Sequence, residues 1–181
     1  MRPVEDTVVD ALKSRIRQVP DFPKPGILFY DITTLLKDKT GFSLAIEALS
    51  APFRGQGIDA VVAVESRGFI LGAAVADRLR TGLIPVRKPG KLPSKTVRAT
   101  YDLEYGKDAL ELHEDGIERG QRVLVLDDVL ATGGTARATV DLVEQLGGRV
   151  AGVAFLIELT FLNGRRNLPG RDIFTVLSYD A

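Results

Sequence analysis

The chain has 181 residues, 45% hydrophobic and 27% charged, which suffices for one substantial core and is too short for two large domains. Its 24 basic and 24 acidic side chains cancel, which excludes recruitment of nucleic acid or an acidic membrane surface by net charge. The absence of cysteine excludes disulfide bonds, thiolate metal sites and a cysteine nucleophile, and it agrees with a reducing compartment.

The N-terminal segment predicts an amphipathic helix. Val8, Leu12 and Ile16 recur at i, i+4 and i+8 within about residues 4–18. The segment carries acidic residues and lacks the basic stretch and apolar run of a signal peptide, and no apolar run reaches the ~20 residues of a membrane helix. We therefore expect a soluble, cytoplasmic protein with one domain, residues 1–181.

A proline-rich stretch interrupts this helix. A regular helix is excluded here by three prolines, Pro20, Pro23 and Pro25. They predict a rigid extended arm that ends at Gly26. An apolar segment rich in β-branched residues follows at 27–36, and a helix is predicted over residues 40–53.

The rest of the chain alternates between short apolar runs and helices. Continuous apolar runs indicate strands that are buried on both faces, and helices between them are typical of parallel sheets. We predict an α/β fold, a parallel twisted sheet with helices on both faces. The predicted strands are residues 59–64, 82–86, 122–126 and 150–159, and the predicted helices are residues 69–79 and 136–146.

Residues 88–113 break this alternation. They contain proline, glycine, many charges and weak alternation, which predicts a two-stranded lid rather than a helix. A surface loop without a function remains the alternative. His113, the single histidine of the chain, lies in this segment, and its place in an alternating strand favours a structural or solvated role over acid–base chemistry.

Polar residues follow the predicted strands, where an open parallel sheet binds its ligands. A sheet edge that carries these polar and charged residues suits a ligand with hydroxyls, phosphates and a divalent cation. The alternative is that the residues form surface salt bridges, which contribute little to stability. The residues concerned are Glu65, Ser66, Arg67, Arg87, Lys88, Asp127, Asp128, Glu158 and Thr160.

The sequence "ATGGT" at residues 131–135 precedes a predicted helix. Free N–H groups at a helix start, the helix dipole and two hydroxyls favour a phosphate monoester, although an ordinary turn has the same composition. The nucleotide P-loop and the dinucleotide glycine motif are both absent.

The unit "VLVLDDVLATGGT" resembles the phosphoribosyl pyrophosphate (PRPP) motif of the type I phosphoribosyltransferase family. The resemblance implies that Asp127 and Asp128 face the ribose hydroxyls and the cationic sugar of the transition state. It also implies that the loop holds the 5-phosphate, with these residues: Ala131, Thr132, Gly133, Gly134 and Thr135.

Further blocks resemble the adenine phosphoribosyltransferases in order and spacing over nearly the whole chain. They are "PDFPKPGILFYDIT", "ESRGFILG", "PVRKPGKLPSKT", "YDLEYGKDALELH" and "LIELTFLNGR". The resemblance implies purine salvage, in which adenine and PRPP give AMP and pyrophosphate, with Mg²⁺ held mainly by the pyrophosphate and not directly by side chains, apart from Asp127 or Asp128 through water. It also implies a cis peptide at Glu65–Ser66 and a homodimer.

The same resemblance assigns the remaining candidate residues. Leu28 and Tyr30, in a base-binding hood at residues 1–36, contact adenine through main chain, and Leu159 packs on the ring. Tyr30 departs from the family, which usually has arginine there. Glu104 and Tyr105 belong to the lid, and Glu104 exchanges a proton with the base. Arg67, Arg87 and Lys88 hold pyrophosphate together with Mg²⁺, and Arg87, Lys88 or Lys91 serves the substrate site of a neighbouring subunit.

Two other functions fit parts of this pattern. Another purine or pyrimidine phosphoribosyltransferase would share the "LDDVLATGGT" block, but "FPKPGILFYD" favours adenine. A PRPP-sensing regulator would need a DNA-binding domain and a basic footprint, and the sequence has neither.

Overall fold

The computed structural model describes residues 4–102 and 107–180 and contains an α/β core with two antiparallel ribbons. The helices are α1 (Asp6–Lys13), α2 (Thr33–Lys37), α3 (Lys39–Ser50), α4 (Arg67–Leu79) and α5 (Gly134–Gln145). The strands are β1 (Arg17–Pro20), β2 (Leu28–Asp31), β3 (Ala60–Val64), β4 (Gly82–Val86), β5 (Thr96–Asp102), β6 (Lys107–His113), β7 (Arg122–Leu130), β8 (Arg149–Leu159) and β9 (Ile173–Tyr179).

The central sheet is parallel throughout and has the order β4-β3-β7-β8-β9. Successive residues of β7 enter opposite layers, because side chains alternate across a strand. Leu124 and Leu126 join the cluster packed by α1, α3 and α4, whereas Val123 and Val125 join the cluster packed by α5. The predicted sheet with helices on both faces is confirmed.

Two of the predicted boundaries were wrong. The N-terminal helix ends at Lys13 rather than near residue 18, and β1 begins at Arg17 and pairs antiparallel with β2. Ile16 is still buried, which explains its apolar identity without a helix. β7 does not stop at Leu126 but continues through the two aspartates to Leu130, because the β8 ladder extends that far.

The strand β9 was missed by sequence analysis. Its sequence, IFTVLSY, mixes threonine and serine with apolar residues, so it lacks the continuous apolar run of the other strands. It nevertheless pairs in parallel with β8 over much of its length, and Leu177 is fully buried. The edge of the sheet on this side is therefore one strand further out than predicted.

The predicted two-stranded segment within residues 88–113 is confirmed. β5 and β6 pair antiparallel from Thr96 opposite His113 onward, and Leu110 and Leu112 are buried in the α5 layer. The ribbon is thus anchored on the sheet by β6. Within the described ranges, no helix is long and apolar enough to cross a membrane.

Candidate active site

A cavity of about 580 Å³ lies beyond the carboxyl ends of β3 and β7, covered by β2 of the N-terminal ribbon. Parallel strands deliver the residues that follow them to one edge of the sheet, which explains why distant sequence segments meet here. The lining residues include Leu28, Tyr30, Glu65, Ser66, Arg67, Lys88, Tyr101, Asp127, Asp128, Ala131, Thr135 and Leu159.

Asp127 and Asp128 lie side by side on the last part of β7. Asp128 is only 6% exposed and forms an ion pair with Arg67, while its backbone N–H donates to Asp127 Oδ1 at 2.8 Å. Burial, and then the neighbouring carboxylate of Asp128, raise the pKa of Asp127 well above its usual value. The site therefore favours a ligand that brings hydroxyl donors or positive charge to these oxygens.

Gly68, in the first turn of α4, leaves the space that Asp127 needs. A Cβ at Gly68 would stand 2.8 Å from Asp127 Oδ1, closer than ordinary van der Waals contact. The glycine in "ESRGFILG" thus permits the close approach of β7 and the start of α4.

The predicted phosphate-binding cations already have carboxylate partners within the fold. Arg67 pairs with Asp128, and Lys88 pairs with Asp108 of β6, whose carboxylate also accepts a hydrogen bond from Tyr101 Oη at 3.2 Å. The Lys88–Asp108 pair is partly exposed, so its replacement by a polyanionic ligand costs little, whereas Asp128 of the other pair is buried. Sequence analysis placed the cations and aspartates on separate strands but did not predict this pairing.

Arg87 is paired with Glu65, a residue that lines the cavity. Its Nε donates to Glu65 Oε2 at 2.6 Å and its Nη1 to the Lys91 carbonyl oxygen at 3.3 Å, and neither Arg87 nor Lys91 is among the lining residues. Burial acts to raise the pKa of Glu65, but hydrogen bonds led by that from Arg87 outweigh it and leave the pKa below its usual value. The expected cis peptide at Glu65–Ser66 is present.

The loop of residues 131–135 lies at the start of α5 beside a smaller cavity of about 70 Å³, lined in part by Thr132, Gly133 and Gly134. Gly133 has φ +85°, a conformation that other residues rarely adopt. Residues of the first turn of α5 line this cavity, and the N–H groups at a helix start, which have no partner within the helix, are suited to bind a phosphate.

A second loop supports this one and was not assigned a role from the sequence. Asn167 Nδ2 donates to the Thr132 carbonyl oxygen at 2.7 Å, and Gly164 lies so close that a Cβ there would collide with the Ala131 carbonyl oxygen. The Asn-Gly pair at residues 163–164 is a turn signal that could have drawn attention to the segment.

Two aromatic residues of β2 attach the hood to its surroundings. Phe29 lies 5.3 Å from the Arg67 guanidinium, measured to the ring centroid, and Tyr30 stacks on Tyr179 with ring centroids 3.9 Å apart. Leu28 and Leu159 line the cavity between these contacts. The structure thus brings together the two sides of the predicted base site.

The remaining candidates separate into different environments. Glu158 is not among the cavity residues, because its carboxylate forms two hydrogen bonds of 2.7 Å with Arg165. His113 Nε2 accepts a hydrogen bond from the Ser94 N–H at 3.4 Å, in keeping with a structural role. The predicted lid residues Glu104 and Tyr105 lie outside the described residues.

Comparison with known proteins gives the family. A model of the phosphoribosyl transferase domain matches residues 33–177. The chain is 60% identical over 179 residues to the adenine phosphoribosyltransferase of Acidobacterium capsulatum, covering 99% of both chains, and 56% identical over 168 residues to that of Thermotoga neapolitana, covering 93% of this chain and 99% of the relative.

Solved structures agree with these matches. The adenine phosphoribosyltransferase of Rhodothermus marinus superposes with a TM-score of 0.93 at 56% identity and covers 97% of this chain and 100% of its own. That of Saccharomyces cerevisiae, solved with adenine and D-2,5-dideoxy-2,5-imino-altritol 1,6-bisphosphate, superposes with a TM-score of 0.91 at 40% identity, with coverage of 96% and 100%. The chain therefore belongs to the phosphoribosyl transferase family and, within it, to the adenine phosphoribosyltransferases.

Proposed function

We propose that the protein transfers the 5-phosphoribosyl group of PRPP to adenine, giving AMP and pyrophosphate. The observation that carries this proposal is the position of the Asp127–Asp128 pair, between the phosphate loop at α5 and the β2 hood. One cavity edge suits a phosphate, the middle suits ribose hydroxyls, and the hood side suits a flat apolar ring. The related yeast enzyme was solved with adenine and a bisphosphate together, which fits this division.

The reaction breaks the bond between the anomeric carbon and the pyrophosphate oxygen, while a ring nitrogen of adenine bonds to that carbon and loses its proton. Positive charge grows on the sugar and negative charge on the leaving group. Asp127 and Asp128 stabilise the sugar, and Arg67 and Lys88 exchange their carboxylate partners for phosphate oxygens. In the role that the resemblance implies, the Glu104 carboxylate accepts the proton that the adenine ring loses.

Magnesium fits this site as a companion of the substrate. Within residues 4–102 and 107–180 no group of three or more histidine, aspartate or glutamate side chains could hold a metal ion. The adjacent carboxylates of Asp127 and Asp128 are oxygen ligands of the kind that Mg²⁺ accepts through a bridging water. Bound to the pyrophosphate oxygens, Mg²⁺ would neutralise the charge that develops on the leaving group.

The hood, within residues 1–36, selects the base. A backbone C=O and N–H of β2, at Leu28 and Tyr30, pair with the amino donor and ring acceptor of adenine. A 6-oxopurine presents the reverse pair and leaves these groups without partners, which costs binding energy. Leu159 supplies an apolar surface for the ring.

A homodimer is the proposed assembly. Ile70 on α4 and Leu83 on β4, the edge strand of the sheet, are 46% and 39% exposed. Arg87, Lys88 and Lys91 follow β4 directly, so a partner packed on this edge would lie beside them and could receive Arg87 or Lys91. Analytical ultracentrifugation at several concentrations tests this assembly, and a monomer at micromolar concentration would contradict it.

The test of the function is product formation from PRPP and Mg²⁺ with four bases offered separately: adenine, hypoxanthine, guanine and xanthine. AMP from adenine alone is expected. Turnover of a 6-oxopurine instead would retain the PRPP site and overturn the role of the hood. PRPP binding with no turnover of any base would favour the regulator.

A further inference from the structure

Tyr30 occupies the hood position at which the resembled family usually has arginine, and its side chain has a specific contact here. The ring is 6% exposed and stacks on Tyr179, with a centroid separation of 3.9 Å and an interplanar angle of 29°. Tyr179 lies at the carboxyl end of β9, the strand that sequence analysis missed. A side chain outside the predicted site thus contacts a predicted base-binding position.

Tyr179 also adjoins the opposite wall of the base site. In the ladder between β8 and β9, Tyr179 is the direct partner of Leu159, which lines the cavity. Neighbouring strands of a sheet lie about 5 Å apart, so Tyr179 is next to the backbone of Leu159 on one side and contacts the ring of Tyr30 on the other. The distance between the two walls is therefore tied to Tyr179.

The hood needs such a support. β1 and β2 form a ribbon of their own, and among the described residues no ladder joins this ribbon to the five-stranded sheet. Side-chain packing must then set the height of the β2 main chain above the sheet, and the Tyr30–Tyr179 stack is one of the contacts that connect β2 to the sheet. Aromatic pairs have preferred geometries and add stability beyond their buried area, which makes them effective spacers.

Tyr179 is held from a further side by α1. The Lys13 ammonium lies 5.0 Å from the centroid of the Tyr179 ring, a cation–π distance. Burial, and then the neighbouring Tyr30, raise the pKa of Tyr179 to about 12, so its hydroxyl stays neutral at physiological pH. The residue therefore acts by packing and not by proton transfer.

We propose that Tyr179 is a positioning residue for the purine: by stacking on Tyr30 and pairing with Leu159, it sets the gap between the β2 main chain and the apolar floor of the base site. This inference rests on the proposed function, because it concerns the base of that reaction. It assigns the Tyr30 side chain a packing role at the position where the resembled family usually has arginine.

The alternative is that the stack is ordinary core packing. The two readings differ in kinetics, because loss of a spacer between the base-site walls weakens adenine binding alone. General loss of packing lowers stability and the active fraction without separating the two substrates. The decisive readout is thus the change in KM for adenine compared with the change in KM for PRPP.

The experiment measures initial rates for Tyr179→Ala, Tyr179→Leu and Tyr179→Phe, with each substrate varied at saturation of the other. Tyr179→Ala is expected to raise KM for adenine about 3- to 10-fold, the scale of losing one aromatic pair, with KM for PRPP nearly unchanged. Tyr179→Phe keeps the ring and should restore the KM of the unsubstituted protein. Tyr179→Leu fills space without stacking and should resemble Tyr179→Ala, which covers the case in which the alanine variant does not fold.

Phe174→Leu is the matched control on the same strand. Phe174 is buried and contacts Phe53 edge to face, away from the cavity. Loss of the Phe174 ring should lower the melting temperature and leave the KM for adenine and the KM for PRPP unchanged.

Two results would overturn the inference. One is a KM for adenine in Tyr179→Leu or Tyr179→Ala within about twofold of the unsubstituted protein, and the other is a parallel rise of both KM values. If the unsubstituted protein makes no AMP from adenine, the proposed function fails and this inference with it. If the unsubstituted protein is active and the Tyr179 variants keep its KM for adenine, the inference is refuted and the proposed function stands.

Discussion

Substitution of Gly133 by alanine tests whether the loop before α5 is as tightly constrained as the structure indicates. Gly133 has φ +85°, and a Cβ there would lie well inside 3.0 Å of the Gly164 carbonyl oxygen and 3.2 Å from Asn167 Cβ. The backbone oxygen of Gly164 has little freedom to move, because Gly164 in turn packs against Ala131. The Gly133→Ala substitution therefore introduces backbone strain, and the added methyl group also collides with the Gly164 carbonyl oxygen.

The two effects have separable magnitudes. Placing alanine at a left-handed φ costs roughly 1–2 kcal/mol, and forcing an extra methyl into a tightly packed position costs about 1–3 kcal/mol more. The sum predicts a loss of about 2–5 kcal/mol in the free energy of unfolding, or roughly 5–15 °C in melting temperature for a chain of this size. A structure that relaxes instead must shift residues 131–135, which displaces the phosphate site.

The assay combines thermal unfolding with steady-state kinetics. Gly55→Ala is the control for backbone strain alone, since Gly55 has φ +71° and no atom of the described residues lies within 4 Å of its Cβ position. Gly133→Ala should lose more stability than Gly55→Ala and raise KM for PRPP by about tenfold or more, on the scale of 1.4 kcal/mol of lost binding. KM for adenine should change little, because the hood is not involved.

The reasoning is refuted if Gly133→Ala unfolds at the same temperature as Gly55→Ala and binds PRPP normally. That result would mean that the Gly164 loop yields without consequence. A loss of stability with an unchanged KM for PRPP would separate the loop from the phosphate and remove it from the site.

Three further predictions concern charged groups. Glu104→Leu should lower kcat by about 10²-fold or more, the scale of losing one transition-state group, and an unchanged kcat would remove Glu104 from the mechanism. Asp108→Asn should tighten pyrophosphate binding in calorimetry by about 2- to 5-fold, because the partly exposed pair with Lys88 no longer competes with the ligand; weaker binding would show that Asp108 assists instead. Asp127→Asn should raise the melting temperature of the ligand-free protein near pH 7. The folded state keeps a proton on Asp127 that the unfolded chain releases near pH 4, so stability falls as pH rises from about 4 towards the raised pKa, and the variant should lack that fall. An identical pH dependence of the melting temperature in both proteins would contradict the raised pKa.

The fold class and the meeting of several candidate site residues at one edge of the sheet could be predicted from the sequence. Continuous apolar runs such as 60–64 must be buried on both faces, and a parallel sheet with helices on both sides follows from that. The carboxyl ends of parallel strands share one edge, so Glu65, Asp127 and the loop at 131–135 were predicted to converge without coordinates. The left-handed φ of Gly133 was not predicted, although glycine is the residue type that adopts it most readily.

Tertiary structure alone decided how these residues are paired and supported. The partners of Arg67 and Lys88, namely Asp128 and Asp108, lie 61 and 20 residues away, and no local pattern specifies which carboxylate a cation will meet. The missed strand β9 and its Tyr179 depend on the ladder with β8 and on stacking with Tyr30. Residue type and short-range periodicity carry propensities of single segments, whereas contacts between distant segments depend on how whole layers pack, and that information exists only in the folded chain.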